Sequence, residues 1–399
     1  MRCSKLYFYK KNLNAMRQLF DLQKIIKLRH ELHQNPELSD NEFVTAERVA
    51  VFLSHYKSAE IIRGMGGNGI ACIFKGKSEG PSVLFRCDMD ALPIQEENDL
   101  EYRSLNKEVS HKCGHDGHIS ILAGLADLFS KNPPEKGQVV LLFQPSEENG
   151  QGAFRVITDQ KFKEIKVDYA FALHNLPGFP QGEIVLKNET FASASKGMII
   201  KLIGKTSHAA EPENGISPAV AMADIIKQLN DLYEKKEQFS DFALITIIHA
   251  RLGEIAFGTS PGYAEVMATL RTYSNDDMQK LVLEAENIAK ENAQSNNLKY
   301  EISFTEEFPA TENNRDMVKL IEEASKSLGI TYSYLENPFR WSEDFAHFTQ
   351  HFPGALFGLG AGSNHPQLHN PDYDFPDEII ENGVKMFYEI YKQIEKKEI

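Results

Sequence analysis

The sequence predicts an α/β protein of two domains, one spanning 16–190 and 301–399 and the other, an α+β domain, inserted at 191–300. Three observations carry that expectation. A chain of 399 residues exceeds what one hydrophobic core usually supports. Short β-rich runs alternate with helical ones up to about residue 175 and again beyond about 300. Between these stretches the order changes to strand, helix, two strands, helix, with apolar faces of its own.

Leu22, Ile25, Leu28 and Leu32, then Phe43, Ala46, Ala50 and Leu53, recur at helical intervals, and Asn35-Pro36 separates the two runs. Two amphipathic helices therefore open the fold. Strands are expected at 82–85, 138–143 and 169–173, with a helix over about 115–129 after the first of them. In the inserted region 196–204 reads as a strand, 218–233 as a helix, 242–253 and 262–273 as two strands, and the stretch to Ala293 as a long helix. This β-α-β-β-α order is ferredoxin-like. A helix over about 377–395 closes the chain.

Composition narrows the function classes. With 43 basic against 57 acidic residues the net charge is -14, which repels nucleic acid and anionic membrane surfaces. Cys3, Cys72, Cys87 and Cys113 have neither the density of a disulfide scaffold nor the spacing of a zinc finger, which favours a reducing compartment. The apolar run 6–9 is too short for a signal peptide, and no run reaches membrane-spanning length. A cytoplasmic protein is expected, with residues 1 to about 15 a loosely ordered extension or an upstream start.

Polar residues gather where the β-runs stop. HKCGHDGH at 111–118 packs Cys113, His115 and two further histidines with Asp116 ahead of a helix, and cysteine and histidine are the ligands zinc prefers. Read blandly, it is a polar helix N-terminus capped by Asp116. Glu147 and Glu148 follow the strand VVLLF; metal-assisted hydrolysis needs one carboxylate to hold a cation and another, unligated, to take a proton from water. A pair that merely opens a helix is an equal reading of those two acids taken alone. His174 follows YAFAL, Asp88 and Asp90 follow SVLF, and His369 lies in a turn-rich loop after GALFGLG, where a surface histidine is the plain alternative. In open α/β sheets ligands collect beyond the carboxyl ends of the strands, so Asp90, Cys113, Glu147 and His174 can share one crevice.

These segments resemble the M20 metallopeptidase and amidohydrolase family, most closely its branch of N-acyl-amino-acid, hippurate-type and auxin-conjugate amidohydrolases. The resemblance runs through LRHELHQNPELSDNEF, RCDMDALPIQEE, HKCGHDGH, FQPSEENGQGA, FALHNLPGFPQG, SHAAEPENGISPAVA, ATLRTY, WSEDFAHF and LHNPDYDFPDE, nearly the whole chain. It implies a metal-binding catalytic domain split by a dimerisation domain, hydrolysis of the amide bond of a small N-acylated amino acid, and a homodimer. Two divalent ions per subunit would be held by Cys113, His115, Glu148, His174 and His369, with Cys113 bridging and Glu147 as general base. Thiolate ligation favours zinc, with manganese, cobalt or nickel left open. Asp90 would support the site from outside the ligand shell. His208 matches a histidine that reaches substrate, often from the other subunit, and Arg271 is a candidate for the substrate carboxylate.

The sequence departs from that pattern at three places. Residues 256–261 read AFGTSP where the family usually has an asparagine, Lys112 stands where a small residue is common, and Ser146 where alanine is frequent. Two other motifs are rejected. GMGGNG at 64–69 precedes a strand, not the helix a dinucleotide site requires, and GTSPG at 258–262 places Pro261, which has no N–H, at the oxyanion position of a serine hydrolase. The competing functions are a dipeptidase or carboxypeptidase of the same superfamily and a catalytically inactive metal-binding assembly module.

Overall fold

The computed structural model describes residues 20–234 and 238–396; the expected extension at 1–15 lies outside the described residues. The main elements of the first half are α1 (Leu22–His33), α2 (Phe43–Leu53), β1 (Glu60–Met65), β2 (Gly69–Lys75), β3 (Ser78–Asp88), α3 (His115–Lys131), β4 (Lys136–Gln144), β5 (Tyr169–Pro177), β6 (Ile184–Leu186) and β7 (Ala194–Ile203). There follow α4 (Ala219–Glu234), β8 (Ala243–Leu252), β9 (Tyr263–Thr272), α5 (Asn275–Ser295), β10 (Lys299–Phe308), α6 (Arg315–Leu328), β11 (Tyr332–Tyr334), β12 (Gly354–Gly362) and α7 (Ile380–Lys396).

The chain divides into two compact units. The first, residues 20–191 with 312–336 and 347–396, is built on an eight-stranded mixed sheet in the order β1-β2-β4-β3-β5-β12-β6-β11. Its central strands β3, β4, β5 and β12 are parallel, and their near-continuous apolar runs are buried on both faces, as a helix-covered parallel sheet demands. Val139, Leu141 and Phe143 of β4 are fully inaccessible, and removing each such side chain from water stabilises by about 1.5–3 kcal/mol. Helix α1 starts where the Asp21 carboxylate accepts the Lys24 amide at 3.1 Å, and it buries the apolar series Ile25, Leu28 and Leu32. It also buries Arg29 and His33, which periodicity alone does not predict.

Strands β1 and β2 form an antiparallel hairpin turned by Gly66 and Gly67 at φ of 59° and 116°, so GMGGNG is a turn and not a dinucleotide loop. The parallel strands align their carboxyl ends. Asp88 registers with Gln144, Arg86 with Ala172, and His174 with Gly358. The residues after β3 and β4, the end of β5 and the loop after β12 consequently emerge along one edge of the sheet.

The second unit comprises 192–311 and 337–346, with an antiparallel sheet in the order β8-β9-β7-β10. Strand β9 alternates buried and half-buried residues; its Ala264, Val266, Ala268 and Leu270 pack with Ile225 and Leu229 of α4 and with Leu281, Ala285 and Ala289 of α5. The limits differ from the expected 191–300. YEISFTEEF does not resume the first sheet at residue 301; it pairs antiparallel with β7, from Lys299↔Ile203 to Phe308↔Ser195, and completes a β-α-β-β-α-β order. Segment 337–346 joins the same unit because Phe339 and Trp341 accept from the Ser193 amide and because Arg271 on β9 donates to Arg340 O and Ser342 Oγ. No helix among the described residues is long and apolar enough to cross a membrane.

Candidate metal centre

Asp90, just beyond β3 and fully buried, organises the edge. Its Oδ1 accepts the Glu147 amide at 3.1 Å, its Oδ2 accepts the Glu148 amide at 2.9 Å and the Ser39 hydroxyl at 2.7 Å, and its backbone oxygen meets His115 Nδ1 at 2.9 Å. Burial pushes its pKa up, but these contacts and the His115 charge outweigh burial and hold it below the usual carboxylate range. An anion whose lone pairs are spent on two consecutive amides fixes the turn that carries both glutamates. That turn is further held at Ser146, which sits at φ 55° with its amide donating to buried Glu42 at 2.7 Å and its hydroxyl to Asp40 at 3.1 Å.

Overlapping groups of metal-ligating side chains stand at this edge, each with its ligand atoms within 4.8 Å of one another, among them Cys113, His115 and His174; Cys113, Glu148 and His369; His115, Glu147 and Glu148; and Asp88, His115 and His118. Cys113 belongs to the first two. Its Sγ lies 3.5 Å from His174 Nε2, and Glu148 Oε1 lies 3.8 Å from His115 Nε2 and 3.9 Å from His369 Nε2. His174 Nδ1 meets Asn175 O at 2.9 Å, which fixes its ring and leaves Nε2 toward the cysteine. Gly114, at φ 95°, lets helix α3 begin directly after Cys113; a β-carbon there would come within 2.6 Å of the Asn175 amide oxygen.

The residues fit a divalent cation. His115 Nε2 and Glu148 Oε1 are buried without a hydrogen-bond partner, each a cost of about 1–3 kcal/mol unless something else satisfies it. Burial, reinforced by the charges of Glu148, Glu147 and Asp88, lifts the Cys113 thiol well above its ordinary range. Burial likewise raises Glu148 to about 7, while His174 is driven well below the ordinary imidazole range. His115 rises to about 10 because Asp88, Asp90 and Glu148 outweigh its burial. The carboxylates that hold a proton on His115, together with the uncharged His174 nitrogen, form a dry edge whose negative charge a cation at these atoms would balance in place of that proton.

Behind the ligands lies a buried charge network that the sequence patterns did not single out. His33 Nδ1 meets Asp116 at 2.9 Å and Nε2 meets Glu96 at 3.0 Å; Arg29 reaches Asp116 at 3.1 Å and Asp374 at 2.9 Å; Lys112 donates to Glu96 at 2.8 Å. His118, another resident of the 111–118 motif, is engaged by Asp88 at 2.6 Å and by the Asn175 amide at 3.3 Å. Charged residues on the apolar faces of α1 and α3 were the available signal. Within the second unit, His208 is exposed, opposite Thr259 in a short ladder, with Nδ1 accepting the Ala210 amide at 3.1 Å. Arg271 spends one nitrogen on Arg340 O and Ser342 Oγ at 2.9 and 3.0 Å.

Residues 84–393 match the peptidase family M20/M25/M40. The chain belongs to this family. Among its relatives, a hippurate hydrolase of Campylobacter jejuni is 30% identical over 94% of this chain and 98% of its own, and an N-acetyl-L-cysteine deacetylase of Bacillus subtilis is 29% identical over 93% and 88%. The crystal structure of a dinuclear metal-binding M20 peptidase of Bacillus subtilis superposes with a TM-score of 0.78 at 26% identity, covering 92% of this chain and 97% of that one. The M20 resemblance and the α/β fold with an inserted domain are thus borne out, and this M20 protein is a hydrolase of amide bonds.

Proposed function

We propose that this M20 hydrolase cleaves the amide bond of small N-acyl amino acids at a dinuclear metal site, with Glu147 as general base. The observation that carries the reading is the overlap, at Cys113, of the group with His115 and His174 and the group with Glu148 and His369, in which His115 Nε2 and Glu148 Oε1 are buried without a hydrogen bond. In this reading Cys113, common to both groups, would serve both ions, with His115 and His174 as its partners in one group and Glu148 and His369 in the other. Divalent ions held there would supply a water acidic enough to attack at neutral pH and would polarise the scissile carbonyl. Thiolate and imidazole donors favour zinc.

Glu147 belongs to the same His115–Glu148 group, is 6% exposed, and is held through its amide by Asp90. Its carboxylate takes the proton from the attacking water and returns it to the departing amine. Asp90 keeps the two glutamates in register and orients His115. The hippurate hydrolase and N-acetyl-L-cysteine deacetylase relatives support an N-acyl amino acid as substrate. Substrate contacts by His208 and Arg271 rest on the family resemblance, and the bonds of Arg271 to 340–342 also give it a role in holding that segment.

A homodimer through the second unit is supported by β8, an edge strand carrying exposed Ile248 and Leu252, and by the adjoining Ile255 and Phe257. The deciding experiment is hydrolysis of N-acetyl amino acids, N-benzoyl amino acids and unblocked dipeptides, before and after chelation and with metal restored. Chelator-sensitive cleavage of blocked substrates is expected. Preference for free dipeptides would select the dipeptidase alternative, and no cleavage of any substrate by fully metallated protein would select an inactive metal-holding module.

A further inference from the structure

We infer that Lys112 is a positioning residue that ties the Cys113 turn to the His369 loop and thereby sets the affinity and thiolate geometry of the metal centre. The inference rests on the reading of Cys113 and His369 as ligands. The Lys112 ammonium is fully buried and donates to Glu96 Oε1 at 2.8 Å and to Tyr373 O at 2.7 Å. Its own carbonyl accepts the His369 amide at 2.8 Å. One residue thus grips the 369–373 loop at two points, through its backbone at His369 and through its side chain at Tyr373, while its sequence neighbour is Cys113.

Neutralising Glu96 does not require this lysine, because His33 Nε2 already meets the same carboxylate oxygen at 3.0 Å and the Ser104 amide meets the other at 2.6 Å. The bond to Tyr373 O is the one that only a long buried donor supplies. His369 also needs an external hold: it sits at φ 65°, a region that a residue with a β-carbon keeps only when its surroundings impose it. Burying an ammonium is costly unless it is paired and hydrogen-bonded, so the arrangement is stable only with both acceptors in place, and that fixes the distance between the two segments.

The test is Lys112→Met, which keeps the chain length and removes the charge. Zinc affinity is measured by competition with a chelator, and the cobalt-substituted protein is followed through its thiolate-to-cobalt absorption. Loss of an outer partner of a metal ligand typically weakens binding ten- to a hundredfold, so a loss of about tenfold or more with an altered thiolate band is expected. A folded variant with affinity within about twofold of the parent and an unchanged band overturns the inference, since that is far below an outer-partner effect. Cys113→Ser and His369→Ala separate the two readings. If both keep full metal content, the ligand assignment itself fails; if both lose metal while Lys112→Met does not, only the positioning role falls. Should Lys112→Met not fold, Glu96→Gln keeps the lysine but weakens its anchor, and it must lower zinc affinity in the same direction; an unchanged affinity overturns the role.

Discussion

Glu147 and Glu148 are adjacent, yet the proposed function gives them different work. Glu148 approaches both His115 and His369, whereas Glu147 joins the His115 group and has its backbone amide held by Asp90. Replacing Glu147 by Gln keeps the shape and removes the base. The variant should retain its full metal content, measured by atomic absorption, while kcat falls by about 10²–10⁴-fold; near-parental turnover would take Glu147 out of the mechanism. His33 makes a second prediction. Burial depresses its pKa, but carboxylates on both ring nitrogens, Asp116 and Glu96, raise it to about 9 from the ordinary 6.5. A group with a raised folded-state pKa contributes stability that is complete below the unfolded value and lost as pH climbs through the folded one. His33→Gln should therefore cost on the order of 3 kcal/mol below about pH 6.5 and progressively less toward pH 9, read from denaturant midpoints of parent and variant across that range. A pH-independent deficit would assign the loss to packing. Cysteine, histidine and paired acids at strand ends were legible because their types are unusual there. The partners of His33 were not, because Asp116 and Glu96 stand 83 and 63 residues away and no local pattern encodes such pairings.

Helix α3 shows how an element delivers a site. The chain leaves β3, returns through HKCG and enters the helix at His115, with Gly114 as the left-handed joint. The apolar periodicity that predicts a helix over 115–129 was sufficient for its existence, but Asp116 does not cap it: Gly114 holds the N-cap position and Asp116 lies in the first turn. What the periodicity did not reveal is that the joint is crowded as well as left-handed, since the Asn175 side chain occupies the space a β-carbon would take. Gly114→Ala should thus destabilise by about 1–3 kcal/mol through backbone strain alone. It should also displace Cys113 relative to His174, so zinc retention on dialysis drops with the melting temperature. A variant that melts like the parent and retains added zinc as the parent does would contradict the role of this joint. Strand β10 makes the opposite lesson. Its alternation was readable as a strand, but strand character does not name a partner, and the long-range register with β7 moved it from one unit to the other.

For the molecule as a whole, two cores of different construction divide the labour. The first unit buries polar groups at the carboxyl edge of a parallel sheet, where their cost is offset by mutual pairing and, in the proposed reading, by cations; the second has an antiparallel sheet covered by α4 and α5 and carries little buried charge. Its unusual feature is outside. Strand β8 is an edge, and beyond it Ile255 and Phe257 are 99% and 100% exposed, beside Ile248 at 60%. Leaving a strand edge and large apolar side chains in water together invites association, although Arg251 and its partner Glu254 place charge at one end of the strand. Ile248→Lys together with Phe257→Asp places charge on both the strand and the following loop without touching the buried face of the sheet. The parent should sediment at twice the chain mass and the double variant at the single mass, with unchanged far-UV circular dichroism. A parent that is monomeric at micromolar concentration would remove the dimer, and a double variant that stays dimeric would move the interface to another face of the protein.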